Sequence, residues 1–386
     1  MRRIGERIKA LRRARGINQT DLAKALGLSS PRAISELENG KRELRGSEVY
    51  ALCSRLECTL AELFGLEADP LQTRAGACLR AEDAKNQELK QVVQRAQRQS
   101  KLLGELEDIL GEKPSSVLPS LDKNYPLSKS GDKMREQAIE LAGWARNRLG
   151  LEDGPLDLLE NKLENSGVIW TTWSLPEGVS GLSLRCNERP FIIVESGEHA
   201  QRQRFSLAHE LAHILVDAAE HAVLTRSYAG NGKWGYSFSE NKERRANHFA
   251  GVFLMPESSI RAFARGRFTL KSLGADEIMR LATHFKVSYQ AAALALAHLG
   301  FLPWARYREM KDYQQVSGGT PLVTGPQPEF FLKWAAELQA TPRILRLVVE
   351  ALEKDLVTYS RACELVMADP ETLDRFLIAY GEAQGV

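Results

Sequence analysis

The chain has 386 residues, 43% hydrophobic and 26% charged. That is enough for two or three domains with a well-buried core, and the composition excludes disordered and collagen-like classes. Fifty-two basic residues against 50 acidic leave a net charge of +2, too near neutral to name a partner. The longest nearly apolar run, Ala291 to Leu302, contains His298 and falls short of the roughly 18 residues a membrane span needs. The charged N-terminus has no apolar signal segment. Five cysteines without a CxxC pair suit reduced thiols and a cytoplasmic location.

The charge is unevenly spread. Residues 1–45 carry 12 Lys/Arg against 5 Asp/Glu, a local +7 against −5 over the remainder. An excess of that size suits a nucleic-acid backbone and also occurs on solvated helix faces. Helices are predicted at Ile4 to Arg15, stopped by Gly16, at Gln19 to Leu26, and at Ser30 to Asn39, stopped by Gly40. Two more follow, at Ser47 to Leu56 and Thr59 to Phe64.

Past Gly65, Leu89, Val92, Ala96, Leu103, Leu106 and Leu110 fall in a 3-4 register. This stripe suits a homodimer through Leu89 to Leu110, or equally a helix packed on its own chain. Lys113 to Lys133, with Pro114, Pro119 and Pro126, reads as a linker. A new globular unit begins near Met134 with a helix to Leu149. A second helix is predicted after Gly154, with Pro155 in its first turn and Leu156, Leu158, Leu159 and Leu163 on its apolar face. Strands are predicted at Val168 to Trp173, Leu182 to Cys186 and Phe191 to Val194. Helices follow at Gln201 to Val216 and Glu240 to Leu254, with 218–239 as a loop between them, and continue through Leu299. Ser317 to Pro328 reads as a second linker, and residues 329–386 as three or four helices without a chemical motif.

In His209-Glu210-Leu211-Ala212-His213, two imidazoles one turn apart on a helix share a face and can hold one metal ion. Glu210 lies close enough to act as general base on a metal-bound water. In a chain with 7 His, chance matches to this pattern number on the order of 0.01. Catalytic zinc takes three protein ligands, so one more is required. The following helix offers Glu240, Glu243 and His248. Glu243 shares a face with Ala246, Asn247 and Ala250, small and polar residues that allow close helix approach, and is the preferred third ligand. Asp217, one turn after His213, and Asn247, one turn after Glu243, are placed to orient ligands through hydrogen bonds. His221, Tyr228 and Tyr236 stand in the intervening loop as oxyanion donors or plain surface residues. Cys186 is considered as an inhibitory thiol that would occupy the open zinc position.

The run Arg202 to His213, followed by Glu243-x-x-Ala246-Asn247-x-Phe249-Ala250 and Leu254-Met255-Pro256, resembles the ImmA/IrrE family of zinc metallopeptidases over about residues 134–300. The Gly154-Pro155-Leu156-Asp157 segment and the Pro190 to Val194 strand also fit. The resemblance implies that His209, His213 and Glu243 bind Zn2+, that Glu210 is the general base, and that the substrate is a repressor or antitoxin-type protein. Near the N-terminus, Gln19 to Asn39 with Gly27 between the helices, Gly40-Lys41-Arg42 after them and the closing Leu60-x-Glu62-Leu63-Phe64-Gly65 resemble the lambda-repressor-like, or XRE-type, helix-turn-helix domain. That resemblance implies double-stranded DNA as a partner, with Gln19 at the groove edge, Ser30, Arg32 and Glu36 facing bases, and Lys41 or Arg42 on phosphates.

The expected protein is multidomain and mainly α. An all-α helix-turn-helix domain occupies residues 1–68 and a helical connector 69–133. An α+β zincin-like metallopeptidase domain with a small sheet spans 134–302, and a linker with an α-helical C-terminal region spans 303–386. The expected function is zinc-dependent endopeptidase activity regulating transcription, without membrane partners. The alternative is a DNA-binding regulator whose peptidase fold is a metal-binding sensor or scaffold without turnover. An intact Glu210 favours the enzyme, because a scaffold needs no general base.

Overall fold

The computed structural model describes residues 2–56, 58, 63, 87–112, 118, 121, 128, 130–157, 159–186, 189–217, 223–226, 238–269, 273–310 and 326–384. The chain forms two compact units, Met1–Lys113 with Phe330–Val386, and Pro114–Glu329. Among the described residues no helix is long and apolar enough to cross a membrane.

The first unit opens with α1 (Arg2–Ala14), α2 (Gln19–Ala25), α3 (Pro31–Glu38) and α4 (Gly46–Arg55). Asn18 caps α2 by accepting from Asp21 N, and Ser30 caps α3 by accepting from Arg32 N, with Pro31 in its first turn. These local devices start each helix where the sequence places it. Between them Gly27 adopts a φ of +64°, a left-handed conformation that glycine enters at least cost. Ile8, Leu11, Leu22, Ile34, Leu37, Leu52 and Leu56 form the core. Within it, Glu38 accepts hydrogen bonds from Arg12 and, at 2.8 Å, from Gln19 Nε2. The predicted helix at Thr59 to Phe64 lies largely outside the described residues.

The same unit contains α5 (Gln87–Leu110), the helix whose apolar stripe suited either a homodimer or packing on its own chain. The second of these readings is the one found. Leu89, Val93, Ala96, Leu102, Leu103 and Leu106 are buried within the chain, and a C-terminal helix, Pro342–Glu353, packs along α5. Its Ile344, Leu345 and Val348 are buried, and Arg343 Nε pairs with Glu107 at 2.9 Å. The seam is therefore filled by the protein's own tail, and Val92, expected in the stripe, is only half-buried beside the buried Val93. The C-terminal residues from Phe330 belong to this unit, where Pro342–Glu353 covers α5 and the next helix, Tyr359–Val366, packs on Pro342–Glu353.

In the second unit, α6 (Gly131–Arg148) and α7 (Leu159–Asn165) precede a four-stranded sheet. Its strands are β1 (Ile169–Trp173), β2 (Val179–Cys186), β3 (Arg189–Glu195) and β4 (Val223–Arg226), in the order β1-β3-β2-β4. β1 pairs parallel with β3, while β2 is antiparallel to both β3 and β4. β4 falls in the segment expected to be a loop. The second helix starts at Leu159 rather than at Pro155, so Leu156 is buried ahead of it. The expected linker is anchored at two points, Leu118 N to Ser166 O at 2.9 Å and Leu121 N to Leu215 O at 2.8 Å. The remaining elements are α8 (Ala200–Val216), α9 (Phe238–Leu254), α10 (Glu257–Ala264), α11 (Ala275–Phe285), α12 (Tyr289–His298) and α13 (Trp304–Met310). α8 packs on β2 and β3 on one side and on α9 on another, and α9 packs on α6. The apolar runs of β1 to β3 are almost wholly buried, as in a sheet covered on both faces.

Candidate metal centre

α8 runs unbroken through Arg202 to Val216, so His209 and His213 meet on one face, and both rings are buried. α9 lies against it and presents Glu243 and Asn247. Glu243 Oε2 stands 3.1 Å from His209 Nε2, Glu243 Oε1 3.4 Å from His213 Nε2, and the two Nε2 atoms 3.1 Å apart. One ion with metal–ligand bonds of about 2.0–2.1 Å would hold tetrahedral ligand atoms about 3.3 Å from one another. The three donors therefore already stand at tetrahedral spacing, and they are the group of His, Cys, Asp and Glu among the described residues placed to hold a metal ion.

The other ring nitrogens are committed. His209 Nδ1 donates to Asn247 Oδ1 at 3.0 Å, and His213 Nδ1 donates to Asp217 Oδ2 at 2.9 Å. Each bond fixes the tautomer and ring orientation that turn Nε2 toward the shared centre. Asp217 is itself gripped by Arg245 at 2.8 Å and by Lys242 at 3.0 Å. Burial raises the cost of its charge, yet His213, Arg245 and Lys242 hold its carboxyl below the ordinary range. Burial likewise works against a charged His213, but hydrogen bonds to Asp217 and Glu243 outweigh it and push its pKa up to about 10. Glu243, desolvated in the same cluster, is nevertheless held down to about 2 by the two imidazoles. The centre favours positive charge at the place the three donors enclose.

Glu210 is fully buried, and its Oε2 accepts a 2.6 Å hydrogen bond from Ser183 Oγ on β2. On the same strand, a Cβ added at Gly181 would stand 2.3 Å from Glu210 Oε1 and 2.9 Å from its Cγ. Only a residue without a side chain leaves room for the carboxylate there. Sequence reasoning missed Gly181 and Ser183, together with Arg245 and Lys242. The alternation Gly181-Leu182-Ser183 on a predicted strand marks two small residues on one face, but nothing in it names Glu210 as their neighbour.

Cys186 is corrected as an inhibitory thiol. Successive strand residues point to opposite faces. Gly181 and Ser183 face Glu210, and Arg185 donates to Ile214 O of α8, so Cys186 is buried on the face turned away from the centre. His221, Tyr228 and Tyr236 lie outside the described residues.

In the first unit, Arg32 is exposed and pairs with Glu36 at 2.9 Å along α3. Ser30 Oγ is engaged in the cap. Gln19 donates inward to Glu38, and Arg42 forks onto Glu48, whose hydrogen bonds hold its carboxyl below the usual range. Lys41 is exposed.

Two helices that supply a His-x-x-x-His pair and a carboxylate beneath a small sheet make a metallopeptidase-like fold. Residues 173–297 match the family described as the IrrE N-terminal-like domain, a peptidase family, and residues 8–63 match a helix-turn-helix family. The protein thus joins a helix-turn-helix domain, a fold of DNA binding, to a domain of the ImmA/IrrE peptidase type. No curated protein matches the chain.

Proposed function

We propose that this protein is a cytoplasmic DNA-binding regulator whose peptidase domain is a zinc-dependent endopeptidase acting on a repressor or antitoxin-type protein. The observation that carries the reading is the tetrahedral spacing of His209, His213 and Glu243 beside a buried Glu210. The donor set, two neutral imidazoles and one carboxylate, is of the kind zinc takes in catalytic sites. When bound, zinc polarises a scissile carbonyl and makes its water more acidic. Glu210 then takes a proton on its carboxylate and passes it to the leaving amine. Ser183 steadies that carboxylate, while Asn247 and Asp217 keep the imidazoles in register. At the other end, the exposed Arg32 at the start of α3 is the base-facing cation and Lys41 a phosphate contact. Ser30 and Glu36 flank Arg32, whereas Gln19 and Arg42 act chiefly by holding the domain together.

The test incubates zinc-loaded protein with repressors encoded beside it, comparing wild type with Glu210→Gln. Cleavage by wild type alone is expected. Stoichiometric zinc with no cleavage of any neighbour, and equal regulation by both forms, would leave a metal-binding sensor instead. Affinity for the protein's own promoter should fall steeply with salt and on Arg32→Ala; indifference to both rules out groove binding.

A further inference from the structure

A cavity of about 760 Å³ opens in the second unit between α6, α8, α9, α12 and α13, within the size range of small-molecule sites. It is not the metal centre, because neither His209, His213, Glu243 nor Glu210 lines it. Its floor is apolar, formed by Phe205, Val252, Met255, Leu294 and Leu299. Its charged wall is of one sign: Arg135, Arg202 and Arg244 line it beside His248 and His298, and among the described residues no Asp or Glu does. Arg202 reaches Glu198 at 3.6 Å, but Arg135 and Arg244 have no ion-pair partner among the described residues. Two half-buried guanidiniums that no described carboxylate pairs are costly unless an anion reaches them.

Two further observations point the same way. Ser288, Gln290 and Ala291 bring the first turn of the ten-residue α12 to the wall, adding the positive end of a helix. The rings of His248 and His298 stack edge to face at 4.6 Å. Burial first, then the positive charges of His298, Arg244 and Arg135, hold His248 down to about 4. His298 is lowered by burial and by Arg135. Burial and the flanking guanidiniums together hold both imidazoles below their ordinary range, so the standing charge of the wall is that of its arginines.

We infer that this cavity binds a small organic anion, its charged group held between Arg135 and Arg244 and its apolar body on Phe205, Met255 and Leu294. Arg135 stands on α6 and Arg244 on α9, so the anion bridges two helices. Asn247 also stands in the wall, so the site adjoins the His209 hydrogen bond through one side chain. The inference does not depend on peptidase activity, since the cavity, its charges and its test involve no turnover.

The experiment is calorimetric titration of the zinc-loaded full chain with phenyl phosphate, with inorganic phosphate, benzoate and benzyl alcohol in parallel. Phenyl phosphate should bind saturably and more tightly than inorganic phosphate, which lacks the apolar body, and benzyl alcohol should not bind. Benzoate tells a carboxylate from a phosphoryl ligand. The double variant Arg135→Gln/Arg244→Gln should weaken phenyl phosphate at least about tenfold, the loss of one or two charge-assisted hydrogen bonds, with zinc content unchanged and the thermal midpoint of the unliganded protein not lowered. A second variant guards against misfolding. A Cβ at Gly251 meets nothing within 4 Å, so Gly251→Leu should fill the cavity, keep the fold and abolish binding. Equal binding of benzyl alcohol, undiminished phenyl phosphate binding in either variant, or no saturable binding of any of the anions by wild type up to about 10 mM overturns the inference.

Discussion

Gly181→Ala probes the proposed general base, Glu210, without touching any of the three proposed metal ligands. The new Cβ would lie 2.3 Å from Glu210 Oε1, 2.8 Å from its Cδ and 2.9 Å from its Cγ, where an ordinary contact is about 3.4 Å or more. The carboxylate must therefore retreat by about 1 Å, a shift of the size that costs on the order of 100-fold in rate when a catalytic group is displaced. An exposed glutamate would swing aside at little cost. Glu210 is fully buried and tied to Ser183 at 2.6 Å, so the overpacking should cost about 1–3 kcal/mol in stability. Alanine is otherwise suited to a strand position with an ordinary backbone conformation. The assays are denaturant unfolding, zinc content and cleavage rate on a protein substrate. Lower stability, unchanged zinc and a slowed rate are expected, with Ser183→Ala slowing cleavage less because it removes a bond without intruding. A Gly181→Ala protein as stable and as active as wild type would refute the packing argument.

Asn247→Ala frees His209 Nδ1 and should weaken zinc binding about 10–100-fold, read by competition with a chromogenic chelator; an unchanged dissociation constant sinks the orienting role. Burial, opposed by Arg204 at 3.1 Å, pushes Glu160 up to about 7 from 4.5. Its raised folded pKa means that its contribution is fully present below pH 4.5 and lost as pH rises through 7, a span of about 3 kcal/mol. The stability difference between wild type and Glu160→Gln should drift by that amount between pH 4.5 and 8 in unfolding titrations, and a constant difference contradicts it. Leu103→Ala in α5 should cost about 3 kcal/mol of first-unit stability without changing the molecular mass in sedimentation. A fall from dimer to monomer would restore the intermolecular seam.

How much of this was legible in the sequence depended on how local each cause is. His209 and His213 share a face by helical period alone, and Asn18, Ser30 and Pro31 start their helices through contacts within three residues. Glu243 was readable as the candidate third ligand because its helix faced α8 with small residues. The placement of Asn247 and Asp217 followed from the same one-turn spacing. The partner of α5 was not readable. Its stripe fits any apolar helix, and the one that fills it begins more than 230 residues later at Pro342. Gly181 and Ser183 were hidden for the same reason, since strand alternation gives their face but not the carboxylate across it. β4 escaped because four residues in a polar loop carry too short a pattern to read.

The charges around the candidate metal centre form a sum that does not close by itself. Glu210, Glu243 and Asp217 are three formal negative charges in a buried cluster, and Arg245 and Lys242 supply two positive ones. One negative charge is left over, and an unbalanced buried charge is expensive. In the protein without metal, the high pKa of His213 answers this by keeping a proton on the ring between Asp217 and Glu243. A dication enclosed by the three donors would take over the proton's task. The same carboxylates explain why Asp217 must keep its cations. Arg245→Met would add a second uncompensated charge and draw a further proton or lose the fold, whereas Lys242, at the more open edge, should tolerate replacement. Measured by unfolding, Arg245→Met should cost about 3–5 kcal/mol and Lys242→Met clearly less. Equal costs for the two would mean that Asp217 is held by hydrogen-bond geometry rather than by charge.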